Sequence, residues 1–155
     1  MMWKTLPEED IGNYDALLDA IDWDKNLDPD FEKNRFMAPM PARPFEQTNP
    51  QGYFETWICF KSEDFSAKEL TIQPQTTVTI KDSAAYGLIL MQGYGKFGEW
   101  TVETPSIIRY GQLTADEFFV SESAAIEGVV ITNNSITEPM VIIKHFGPEN
   151  PDLVV

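Results

Sequence analysis

The 155 residues match the roughly 100–200 that one hydrophobic core usually serves, and 43% hydrophobic with 12% aromatic side chains exclude an unstructured chain and argue against a two-domain enzyme. Eleven basic against 25 acidic residues leave a net charge of −14 with no basic cluster, so neither nucleic acid nor an anionic membrane surface is an expected partner. No apolar run approaches the roughly 18 residues of a membrane span, the N-terminus lacks a secretory layout, and the single Cys59 cannot close an internal disulfide, so the expected location is the cytoplasm.

Residues 1–35 form an acidic leader with ten acids and four bases. Within it Ile11, Tyr14, Leu18 and Ile21 recur at helical spacing with Asp15, Asp19 and Asp22 around the turn, which predicts one amphipathic helix. Pro7 with Glu8, Glu9 and Asp10 suits a helix start, and Asn13 is a rival cap. From Met37 to Gly52, Pro39, Pro41, Pro44 and Pro50 withhold backbone donors and predict an extended strap. Short extended segments follow at Tyr53–Phe60, Leu70–Gln73, Thr76–Lys81, Tyr86–Gln92, Glu99–Glu103, Ser106–Tyr110, Glu117–Val120, Gly128–Thr132 and Met140–Phe146, separated by turn residues. Such a series predicts a mainly β domain over 53–155, a sandwich, jelly roll or barrel, preceded by helix and strap over 1–52. The one later helical feature is a turn around Ser123–Glu127.

Two motifs resemble binding chemistry. Gly93-Tyr94-Gly95-Lys96-Phe97-Gly98 fits a dinucleotide phosphate loop, but the following residues are extended and include Pro105, where phosphate binding needs a helix to begin; a glycine-rich β-turn is the better reading. Asn133-Asn134-Ser135 matches a glycosylation sequon and reads more simply as a hairpin turn. His145 is the only histidine, so any metal would rest mainly on carboxylates.

The run Ser66–Pro148 resembles the cupins, the double-stranded β-helix jelly roll. The residues that carry the likeness are Phe65 to Lys68, Thr79 to Asp82, Ala85 to Gly87, Ile108 to Gly111, Thr114 to Val120 and His145 to Pro148. They are similar to the last domain of bacterial cupins loosely grouped with sugar-phosphate isomerases, a domain that tends to follow another cupin domain; a stand-alone version and a partial gene both fit this chain. The resemblance implies a cupin jelly roll with an N-terminal amphipathic helix and a proline-rich strap, and a homodimer formed through its sheets.

The family's metal is held by histidines and a glutamate, and those positions fall here on Lys81, Ser83, Tyr86 and Val129, so no metal or other cofactor is expected. If the barrel is right, Tyr86, Leu88, Leu90 and Gln92 share an inward face. The candidate ligand-binding residues are then Lys81, Tyr86, Gln92, Tyr94, Arg109, Glu117 and His145, with no catalytic residue assigned. Three function classes stay open: a metal-free module binding a small molecule such as a sugar or sugar phosphate in the barrel; a metal-free isomerase or epimerase; and a structural or dimerisation domain whose barrel is plugged by Leu88, Leu90 and aromatics.

Overall fold

A computed structural model describes residues 7–106 and 110–153. It divides into two compact units, Met1–Phe36 and Met37–Val155, so the proline-rich strap clusters with the β domain.

In the first unit, where one helix is predicted, the described residues form a 3-10 turn and three short helices. A 3-10 turn at Glu8–Asp10 ends before Gly12, whose φ of 89° is left-handed and breaks the helical path. Helix α1 (Tyr14–Asp19) starts from Asn13, whose side chain accepts from the Ala16 amide; α2 (Trp23–Asn26) is capped in the same way by Asp22 and Lys25. Helix α3 covers Phe31–Arg35.

The second unit opens with β1 (Met40–Pro41) and α4 (Phe45–Thr48). The strands that follow are β2 (Tyr53–Cys59), β3 (Ser66–Ile72), β4 (Thr77–Ile80), β5 (Tyr86–Gln92), β6 (Tyr94–Phe97), β7 (Trp100–Glu103), β8 (Glu117–Val120), β9 (Val129–Asn133) and β10 (Met140–Phe146), with α5 (Glu122–Glu127) between β8 and β9. The expected strand at Ser106–Tyr110 lies mostly outside the described residues. One antiparallel sheet runs β1-β2-β3-β10-β5-β8 and the other β4-β9-β6-β7. Without β1 and β2, eight strands form two four-stranded sheets, and the chain crosses between them after β3, β4, β5, β7, β8 and β9. That order is the jelly roll which the cupin resemblance implies.

The glycine motif is a pair of turns. Gly93 (φ 99°) and Gly98 (φ 59°) flank β6, and Gly95 within it lies against the Thr132 carbonyl, so close that a Cβ would collide. Strands rather than a helix follow, as read from the sequence.

Period-2 alternation selects the interior. Inward go Tyr53, Glu55 and Trp57 of β2, Lys68, Leu70 and Ile72 of β3, Tyr86, Leu88 and Leu90 of β5, and Met140, Ile142, Lys144 and Phe146 of β10; Val78, Ile80, Phe97, Val102 and Ile131 face them from the second sheet, and all are buried. Gln92 leaves this alternation. A bulge between Val141 and Ile142 shifts the β10 register so that Val141 pairs with Gln92 and Ile142 with Leu90, and Gln92 is exposed.

Asn133, expected in a turn, is the last residue of β9 and is fully buried. Its Nδ2 donates to the carbonyls of Ile72 (3.0 Å), Gln73 (3.2 Å) and Glu138 (2.9 Å), and its Oδ1 accepts from the Ser135 amide at 2.9 Å. One carboxamide thus ties the β3–β4 connection to the β9–β10 connection.

Candidate functional site

The interior carries charge that the hydropathy pattern conceals. Lys68 and Lys144 are cross-strand partners in β3 and β10, and Trp57 of β2 pairs with Lys68. Asp82, just after β4, receives both lysines: Lys68 Nζ donates to Oδ1 at 2.7 Å and Lys144 Nζ to Oδ2 at 2.6 Å. Lys144 Nζ also contacts Glu55 Oε1 as an ion pair without a well-directed hydrogen bond, and Glu55 Oε2 lies 3.8 Å from Arg43 Nε of the strap. The side chains of Lys68, Lys144, Glu55 and Asp82 are all at most 3% exposed, so two cations and two anions form a buried, formally neutral quartet.

Aromatic rings frame it. Lys68 Nζ sits 4.6 Å from the Trp57 ring centroid and 5.1 Å from that of Phe146, while Lys144 Nζ sits 5.3 Å from that of Tyr86. The Tyr86 hydroxyl is buried without a hydrogen-bond partner; burial, then the negative charges of Asp82 and Glu55, push its pKa well above the ordinary phenol value. Asp152 closes the margin. Partial burial pushes its carboxyl upward, but the Ser83 hydroxyl and amide and the Lys68 ammonium outweigh this and hold it below the usual carboxylate range.

The sequence-derived candidates fall in different places. Tyr86 is inside, against the quartet. Lys81, Gln92 and Tyr94 are exposed; the Lys81 carbonyl accepts from Arg43, and Gln92 Nε2 donates to the Pro139 carbonyl. Arg109 lies outside the described residues. Glu117 and His145 are exposed and come together in a groove of about 470 Å³ on the outer face of the larger sheet, beside Ile89, Thr114 and Phe119. There the His145 imidazole lies over Gly87, its cross-strand partner, so closely that a Cβ on Gly87 would overlap the ring.

Sequence reasoning passed over Lys68, Lys144, Glu55 and Asp82. A signal existed for three of them: Glu55 lies between Tyr53 and Trp57, Lys68 two residues before Leu70, and Lys144 between Ile142 and Phe146, each at an inward position. At the cupin ligand positions, Lys81 is exposed, the Ser83 hydroxyl is bonded to Asp152, Tyr86 is a phenol packed between Phe146 and the Lys144 ammonium, and Val129 has no donor atom; this set does not fit a divalent cation.

A second feature is an open cleft of about 360 Å³ where β6 and β7 meet the β8–α5 connection. Phe97, Trp100, Phe119, Val120, Ala124 and Val129 supply its apolar walls, with Gly98, Glu99 and Ser121 at the polar margin. Trp100 is 63% and Phe119 77% exposed.

No protein-family model matches the chain, and no curated protein matches it. Solved structures similar to it include an RmlC-like cupin from Ralstonia eutropha, with 7% identity over 72% of this chain and a TM-score of 0.46; the chain spans 63% of that protein's length. A cupin 2 conserved barrel domain protein from Rhodopseudomonas palustris is 11% identical over 73% of this chain and 72% of its own (TM-score 0.45). An RmlC-like cupin from Shewanella frigidimarina is 15% identical over 67% and 83% (TM-score 0.43).

Proposed function

We propose that this jelly roll is a binding module for a neutral small molecule with an apolar face, of the carbohydrate class, taken into the cleft between the β6–β7 hairpin and the β8–α5 connection. The observation that carries this reading is the exposure of Trp100 and Phe119 on an otherwise aliphatic and aromatic cleft, because exposed aromatic platforms beside polar groups favour ligands with one apolar and one hydroxylated side. The barrel interior is a poorer host: Leu88, Leu90, Ile142, Tyr86 and Phe146 fill it, and its charged groups are already paired. Charge narrows the ligand. Among the described residues Glu99 is the only charged one lining the cleft, and the chain carries −14, which disfavours a sugar phosphate relative to the uncharged sugar.

Thermal-shift and calorimetric titration with neutral mono- and oligosaccharides tests this. At ten times Kd the stabilisation is about 1.4 kcal/mol, a rise of roughly 3–6 °C in Tm for a domain of this size. The rise should vanish in Trp100→Ala and be absent with the phosphorylated sugars. Equal shifts in wild type and Trp100→Ala, or none with any neutral sugar, would overturn the assignment.

A further inference from the structure

We propose that Lys144 and Asp82 join in an intramolecular amide bond, formed spontaneously inside the folded barrel with Glu55 as the proton carrier and Lys68 as the stabilising cation. Four observations converge on this reaction. The nucleophilic nitrogen and the acceptor carboxyl are already in contact, with Lys144 Nζ 2.6 Å from Asp82 Oδ2, and holding reactants in this way replaces a bimolecular encounter by a unimolecular step. A second carboxylate, Glu55 Oε1, touches the same Nζ and is fully buried. A second ammonium, Lys68 Nζ, donates to the other Asp82 oxygen at 2.7 Å, the oxygen on which negative charge develops when the carboxyl carbon is attacked. Trp57, Tyr86 and Phe146 enclose the group, and in such surroundings separated charges are costly, which favours conversion of an ion pair to a neutral amide.

The step balances without any oxidant or co-reactant. The Lys144 ammonium passes one proton by way of Glu55 to Asp82 Oδ2, and its freed amine attacks Cγ of the resulting carboxylic acid. The Cγ–Oδ2 bond then breaks, and Oδ2 departs as water with two of the three ammonium protons, both relayed by Glu55. The third proton stays on the amide nitrogen. Glu55 returns to a carboxylate and Lys68 remains an ammonium, so the site is neutral before and after.

Intact-mass spectrometry of the denatured wild-type chain decides the matter. The expected mass is that of the sequence less one water, and proteolysis should yield a branched peptide linking Lys144 to Asp82. Lys144→Arg should show its full sequence mass, and Asp82→Asn should lose one ammonia in place of water. Glu55→Gln, if folded by circular dichroism, should retain its full mass. A wild-type chain of full mass overturns the proposal whatever the variants do. So does a water loss confined to a linear peptide around Asp82-Ser83, which marks a succinimide instead.

Discussion

Truncating Leu88 to alanine tests whether the barrel is a packed interior or a cavity awaiting a ligand. Leu88 is 2% exposed and lies between Tyr86 and Leu90 on the inward face of β5. Removing its three terminal carbons forfeits about 0.8 kcal/mol of transfer free energy per carbon, and the void left in a close-packed core brings the cost to about 3 kcal/mol. For a domain of this size that corresponds to a fall in Tm of roughly 6–12 °C. Its neighbour Ile89 points to the outer face and is 38% exposed, so Ile89→Ala should cost only about 1 kcal/mol. Urea unfolding of both variants, followed by circular dichroism and by fluorescence of the buried Trp57, gives the comparison. A cost below about 1 kcal/mol for Leu88→Ala would refute the packed interior, and equal costs for the two would refute the register that turns Leu88 inward.

Other consequences can be measured on the same footing. Tyr86→Phe removes a buried hydroxyl without a partner, so stability should stay level or rise by up to about 1 kcal/mol in urea unfolding; a loss above that would show that the hydroxyl is bonded. Gly87→Ala drives a methyl into the His145 ring and should cost about 1–3 kcal/mol; in a double-mutant cycle most of that cost should disappear in the His145→Ala background, and full additivity would argue against the contact. Asp152 has a lowered folded-state pKa, so its contribution is present above the unfolded value near pH 4 and is lost as pH falls through the folded value. Asp152→Asn should therefore flatten the acid limb of a stability-against-pH curve and leave its slope near neutrality unchanged; an unaltered acid limb would remove Asp152 from the account.

Three strands were legible from the residues as β-branched and aromatic runs bounded by turn residues: Tyr86–Gln92, Glu117–Val120 and Met140–Phe146 have the same bounds in the sequence reading and in the structure. Strand β6 was not, because the glycines that enable its flanking turns and its close approach to Thr132 also give it the appearance of a loop. The leader differs for the converse reason: the spacing from Ile11 to Ile21 is helical, but the left-handed Gly12 and the cap at Asn13 begin the helix anew. The charged interior was hidden by chemistry. A lysine within an apolar strand reads as a strand-end residue reaching water, and only tertiary pairing with Asp82 and Glu55 makes Lys68 and Lys144 tolerable inside. Of the candidates near the cupin ligand positions that lie among the described residues, Tyr86 alone reaches the interior group and the rest are on the surface.

The carboxamide of Asn133 is a latch that the corresponding acid would undo. Hydrolytic deamidation would replace its NH2 by an oxygen, leaving an anion opposite the acceptor oxygens of Ile72, Gln73 and Glu138. Attraction would become repulsion at the latch between two chain reversals. One oxygen in place of that NH2 would thus weaken this end of the barrel while every hydrophobic contact was still chemically intact.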